Sequence, residues 1–216
     1  MTRTDGFQLT RGAELVLATH NAGKLDEFAG LFAPLGVVLI SAGELGLAEP
    51  EETGTCFAEN ARIKAHAAAG AANKIALSDD SGLCVEALGG RPGIHTARWA
   101  GPERDFDVGM KRVEDALQGA NATRPAERRA SFNAVLCLAL PDGRDLIFTG
   151  IAAGTLVWPG RGTLGFGFDP VFMPDGFDIT FGEMPAEAKH SWRPGKTGLS
   201  HRARAFAHLV EACCDI

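Results

Sequence analysis

The stretch that most constrains this chain is Ala76–Gly82, which reads Ala-Leu-Ser-Asp-Asp-Ser-Gly. A short apolar strand, Lys74 to Ser78, is expected to run straight into two adjacent carboxylates, a hydroxyl and a glycine. Open α/β sheets place their ligands at strand ends of this kind. Neighbouring residues of a strand point to opposite faces, so Asp79 and Asp80 are expected to do different jobs. The competing local reading is an Asx turn, in which one carboxylate holds backbone N–H groups.

Bulk properties narrow the field. A chain of 216 residues buries roughly 70% of its unfolded surface and builds a core without staples. No Pro/Ser-rich linker or charge run divides it, so one domain is expected over residues 1–216, with 1–13 as a flexible extension. The net charge of -6 argues against coating a nucleic-acid polymer, which needs a basic face. Five cysteines (Cys56, Cys84, Cys137, Cys213, Cys214) include no C-x-x-C pair and no zinc spacing, which fits a reducing compartment. The polar N-terminus lacks an apolar signal core, and no apolar run reaches the ~20 residues of a membrane span. A cytoplasmic protein is expected.

In chain order, Glu14–Thr19 reads as a buried strand, His20–Gly23 as a turn and Lys24–Leu35 as a helix ended by Gly36. Strand, Asn/Gly turn and helix leave N–H groups aimed outward at a dipole-positive helix end, a phosphate cradle with Lys24 on its rim. It is not the loop G-x-x-x-x-G-K-[ST], because Ala18 and Leu25 stand at its first and last positions. Val37–Ile40 is a second strand. An acidic loop carries Glu44, Glu49, Glu51 and Glu52. Thr53 or Thr55 should cap a helix from Cys56 to Asn73, packed through Thr55, Phe57, Ala61, Ala65 and Ala68, with Asn60 and Lys64 on another face. Leu83–Leu88 is strand or extended, and Gly89–Gly101 is too glycine-rich for regular structure.

A helix is expected over Asp105–Leu117. Ala130–Leu140 and Arg144–Ala153 form an antiparallel hairpin about Pro141-Asp142-Gly143, so the sheet is mixed. In Gly165-Phe-Gly-Phe-Asp-Pro170 the glycines let backbone approach a flat ligand while a ring stacks on it; a bulge with core phenylalanines is the competing reading. Ser200 caps a last helix, His201 to Cys214. His201 and Arg202 lie in its first turn, where the dipole disfavours cations, so a ligand anion or carbonyl is expected to compensate.

These segments together resemble the inosine triphosphate pyrophosphatase family, also called dITP/XTP pyrophosphatases, over about residues 14–210. The matching blocks are Ala18–Lys24 with Glu27, Glu52–Ala61, Lys64-Ala65, Asp79–Leu83, Gly89–Gly93 with Ala97-Arg98, Gly165–Pro170 and Ser200–Arg202. The resemblance implies a mixed central β-sheet flanked by helices, in two lobes with the site in the cleft between them. It implies a homodimer, and attack of water on the α-phosphorus to give a nucleoside monophosphate and pyrophosphate. Two departures stand out. Phe168 occupies the family's usual tyrosine position, and His190–Leu199 is longer than usual, which suggests a modified lid.

Hydrolysis of a polyanion calls for a hard cation, and Mg²⁺ takes one or two carboxylates plus phosphate oxygens. Asp80 and Glu52 are the expected ligands, with Glu51 as the near alternative. By resemblance Asp80 accepts the proton. Thr19, His20, Asn21, Ala22, Gly23, Lys24 and Lys64 are expected around the phosphates, and Ser81 among the substrate-binding residues. Lys189, His201 and Arg202 are expected to donate to the 6-carbonyl of the base, flanked by Phe166, Gly167, Phe168 and Asp169. Asp79, Glu27, Asn60 and Arg98 are expected in supporting roles. The alternatives are a Maf-like pyrophosphatase for other nucleotides and a nucleotide-binding sensor without turnover.

Overall fold

The structure is a computed structural model and describes residues 7–214. Six strands form one sheet in the order β2-β1-β3-β4-β5-β6. They are β1 (Glu14–Leu17), β2 (Val38–Ser41), β3 (Ala76–Val85), β4 (Arg129–Ala139), β5 (Asp145–Leu156) and β6 (Phe172–Pro174). The β1–β2 and β1–β3 pairs are parallel, and all later pairs are antiparallel. The mixed sheet read from the sequence is therefore present.

Asp79 and Asp80 do not end a strand; they lie in the middle of ten-residue β3. β1 pairs only with Ala76 and Leu77, whereas β4 pairs with every residue from Ala76 to Val85. From Ser78 to Gly82 no strand pairs with the β1 side of β3, which is an open edge there; Cys84 then bridges to Pro92. Long antiparallel pairing with β4 keeps the strand going where a parallel strand would have stopped.

Helix α1 (Ala22–Phe32) starts earlier than expected because Asn21 caps it, accepting from the Lys24 N–H at 3.1 Å. A short 3₁₀ turn follows, and Gly36 closes it at φ 65°, in the left-handed region. Helix α2 (Phe57–Ala72) buries Ala61, Ala65, Ala68 and Ala69 against the sheet. Neither Thr53 nor Thr55 caps it. Cys56 is the N-cap without a side-chain bond, and exposed Thr55 instead donates from its hydroxyl and N–H to Glu59. The glycine-rich stretch after β3 is also more regular than expected: it holds a 3₁₀ turn and the short helix α3 (Thr96–Trp99). Helix α4 (Phe106–Gly119) is capped by Asp105. Helix α5 (Ala186–His190) precedes a small hairpin of β7 (Trp192–Arg193) and β8 (Lys196–Thr197). The chain closes with α6 (His201–Cys213), capped by Ser200 as expected.

Two large cores divide the molecule into lobes. One joins β1, α1 and α6 through Leu15, Phe28, Phe32, Leu136 and Phe206. The other joins the far half of β3 to α4 through Leu83, Met110, Val113, Phe132 and Phe172. The hairpin expected to act as a lid belongs to the first core: Trp192 is buried edge-on to Phe206, with ring centroids 5.7 Å apart. Residues 7–13, expected to be loose, are also tied down. Leu9 is buried and its N–H donates to the Cys213 carbonyl at 2.7 Å; residues 1–6 lie outside the described residues.

Helix α6 lies so close to β5 that a Cβ at Gly150 would overlap the His201 carbonyl oxygen and the Ala205 nitrogen. Both obstacles are backbone, so neither yields by a rotamer change. Gly150→Ala is expected to destabilise the fold by roughly 2–3 kcal/mol, the upper range for overpacking. Urea denaturation checks this, and an unchanged midpoint would show that α6 shifts freely.

Candidate active site

A cavity of about 450 Å³ opens where β1 ends and β3 continues, between the two lobes. The chain leaving β1 supplies Thr19, His20 and Asn21 to its wall, α1 supplies Lys24 and Glu27, and β3 supplies Asp79, Asp80 and Ser81. The second lobe contributes Arg98, Arg104, Phe106 and Phe166–Asp169, and α6 contributes His201 and Arg202. Because β3 has an open edge here, side chains from both of its faces reach one cavity.

On one face, Lys64 from α2 lies between two carboxylates. Its Nζ is 2.7 Å from Glu52 Oε1 and 2.7 Å from Asp80 Oδ1. Burial lifts the Asp80 carboxyl above the ordinary range, although Lys64 pulls the other way. Asp80 Oδ2 is buried and takes no hydrogen bond. Glu52 is held in place from behind: Asn60 Oδ1 accepts the Gly54 N–H at 2.9 Å. Asn60 therefore supports the acidic loop rather than a ligand.

On the other face, Asp79 Oδ2 receives Lys24 Nζ at 2.8 Å, Arg202 Nη2 at 2.9 Å, Arg202 Nε at 3.1 Å and Ser81 Oγ at 3.0 Å. Burial opposes ionisation, but Arg202 and Lys24 outweigh it and hold the Asp79 carboxyl far below its usual value. Arg202 Nη1 also pairs with Glu27. The anion that compensates the cation at the start of α6 is thus internal. Buried charges require such partners, which is why none of Lys24, Lys64, Lys189 and Arg202 is a free donor. Lys189 is fully buried on Asp169 Oδ2 at 2.8 Å and on the Phe181 carbonyl at 2.9 Å, outside the cavity lining.

Other expectations are corrected too. Glu51 is exposed and outside the cavity, while Glu49 from the same acidic run lines it. Ala22 and Gly23 form the first turn of α1 without lining the cavity; a Cβ at Gly23 would sit 3.1 Å from the Phe166 ring. Phe166 is half-exposed and Phe168 is buried edge-on to Phe106. His201 stacks on Phe132, with centroids 5.0 Å apart, and its buried Nδ1 has no partner. The sequence reading missed Phe132, Arg104 and His190. Phe132 had a signal: it alternates toward the same face of the hairpin as Leu136, although its opposition to Leu83 of β3 needs the register.

The buried side-chain atoms without a partner, among the described residues, are Asp79 Oδ1, Asp80 Oδ2 and His201 Nδ1, and all three belong to residues of this cavity. Orphaned polar atoms are rare in native interiors, so their concentration here marks a site built for a ligand. The family model described as Ham1 family matches residues 15–212. The chain belongs to the Ham1 family. Solved Ham1 structures share its fold. A HAM1 protein from Coxiella burnetii superposes with a TM-score of 0.80 at 34% identity, covering 92% of this chain and 97% of that one. The Staphylococcus aureus Ham1 protein gives 0.75 at 34% identity, covering 91% and 95%. Curated relatives are nearer in sequence. A dITP/XTP pyrophosphatase of Brucella melitensis is 56% identical over 97% of both chains. One of Mesorhizobium japonicum is 57% identical over 95% of both. No helix among the described residues of this Ham1 chain is long and apolar enough to cross a membrane.

Proposed function

We propose that this chain hydrolyses non-standard purine nucleoside triphosphates (ITP, dITP and XTP) to the monophosphate and pyrophosphate. The observation that carries the proposal is the convergence of Glu52 and Asp80 on Lys64, with Asp80 Oδ2 left bare. It is found in a chain more than half identical to dITP/XTP pyrophosphatases. The reading also places the protein in the cytoplasm, in keeping with five free thiols.

The donor set fits a divalent cation. The cavity is lined by six carboxylates against five lysines and arginines, so it does not attract a triphosphate by charge alone. Mg²⁺ needs only one or two protein carboxylates, and Asp80 with Glu52 would hold it. When bound, the ion supplies charge neutralisation at the phosphates and acidifies water. Asp80 is placed to take the proton of an attacking water: its free oxygen is an acceptor, and burial raises its basicity. Lys64 and Lys24 are the phosphate-side cations, each fixed by a carboxylate before substrate arrives. His201 on Phe132 offers a flat surface and an unsatisfied nitrogen to the base. A site that leaves polar groups unpaired against the wrong base discriminates strongly.

Pyrophosphate release from ITP, XTP, dITP, ATP, GTP and dTTP, with and without Mg²⁺, tests the reading. Turnover of the first three is expected, abolished by chelator and restored by Mg²⁺. Preference for dTTP would favour the Maf-like alternative, and absence of ITP turnover with Mg²⁺ would favour a sensor.

A further inference from the structure

We infer that His190 is a specificity-determining residue, whose Nε2 accepts a hydrogen bond from a donor on the nucleoside half of the substrate. His190 is the last residue of α5 and lines the cavity. Its Nδ1 is 3.3 Å from Glu27 Oε2 and 3.2 Å from Ser200 Oγ. Glu27 also receives Arg202, so its Oε2 is an acceptor, and on that ground we assign the ring proton to Nδ1, with Ser200 Oγ accepting beside it. Burial beside Lys189 and Arg202 holds the imidazole neutral, with its pKa down to about 3. A neutral ring protonated at Nδ1 has a lone pair at Nε2. The two ring nitrogens diverge, so with Nδ1 turned to Glu27 and Ser200 the lone pair is on the side of the ring left to the cavity.

That lone pair cannot serve the phosphates, which offer no donor at neutral pH. The nucleoside half offers two kinds: the ring N–H of a 6-oxopurine, and the sugar hydroxyls. Adenine has no N–H at ring position 1, so the first kind would also separate ITP from ATP. The ring is held rigidly from both sides. Trp192, two residues on, is anchored in the core against Phe206, and Ser200 opens α6. The longer segment between Lys189 and Ser200 therefore works as the brace of a nucleoside-reading imidazole rather than as a lid.

The inference rests on the function proposed above, so turnover of ITP by the unaltered protein is measured first; its absence would refute that function. The variants are His190→Leu, which keeps volume and removes the acceptor, and His190→Gln, which restores one. His190→Leu is expected to raise KM for ITP about tenfold, the scale of one lost hydrogen bond in a dry site, with kcat changed less. His190→Gln should recover most of the loss. The decisive arm uses the substrate: 1-methyl-ITP and 3′-deoxy-ITP. The unaltered protein should discriminate against one of them about tenfold, and His190→Leu should not; which one identifies the donor as ring N–H or sugar hydroxyl. Equal penalties in the unaltered protein and His190→Leu for both analogues would overturn the inference, as would an unchanged KM for ITP.

Discussion

Asp80→Asn is expected to lower kcat for ITP by about 10³-fold, within the range attributed to a positioned general base, and to leave the fold intact. The amide is isosteric and Lys64 keeps Glu52 as its partner at 2.7 Å. What is lost is the acceptor whose Oδ2 is free and whose basicity burial raises. Steady-state kinetics together with thermal melting check both halves. A variant that melts normally and turns over ITP at the original rate would remove Asp80 from the chemistry.

Asp79→Ala should do the opposite: its main cost falls on stability. One carboxylate oxygen serves Lys24, Arg202 and Ser81. Removing it leaves Lys24 without its carboxylate and Arg202 with Glu27 alone, and breaking a buried pair costs about 3–5 kcal/mol. Urea denaturation at neutral pH reads this directly, and a loss below 1 kcal/mol would mean the cations find other partners. The pH dependence has a definite sign. Asp79 is depressed in the native state, so its contribution is complete above its unfolded value of ~3.9 and is lost as pH falls below that toward the native value. Burial raises the carboxyls of Glu27, Asp80 and Asp169, which act with the reverse sign. The difference between the parent and Asp79→Ala isolates the Asp79 share, and that difference should shrink in acid.

Much of this site was legible in the sequence because its parts are local. Asn21, Gly23 and Lys24 announce a strand–turn–helix, Ser200 announces a cap, and Pro141–Gly143 announces the hairpin. The sequence also separates Asp79 from Asp80, since alternation along any extended segment divides them. Pairing across long separations was not legible. Arg202 meets Asp79 and Glu27 only because α6 folds back on α1 and β3, so it read as a free donor in conflict with its helix dipole. Lys189 read as a ligand group for the same reason. The extent of β3 was missed because Ser-Asp-Asp-Ser-Gly has poor strand propensity; ten pairings with β4 override it. Glu51 and Glu52 could not be told apart, because a loop has no fixed period to say which acid faces inward.

The middle-of-strand position of the aspartate pair has a corollary. Because alternate side chains of β3 serve the two chemistries, a one-residue deletion between Ala76 and Asp79 would not weaken the enzyme by degrees. It would turn Asp80 toward Lys24 and Arg202, put Ser81 in its place beside Lys64, and set Asp79 back to the position of Ser78. An insertion or deletion between Ala76 and Asp80 thus breaks the ion pairs on both faces of the strand at once.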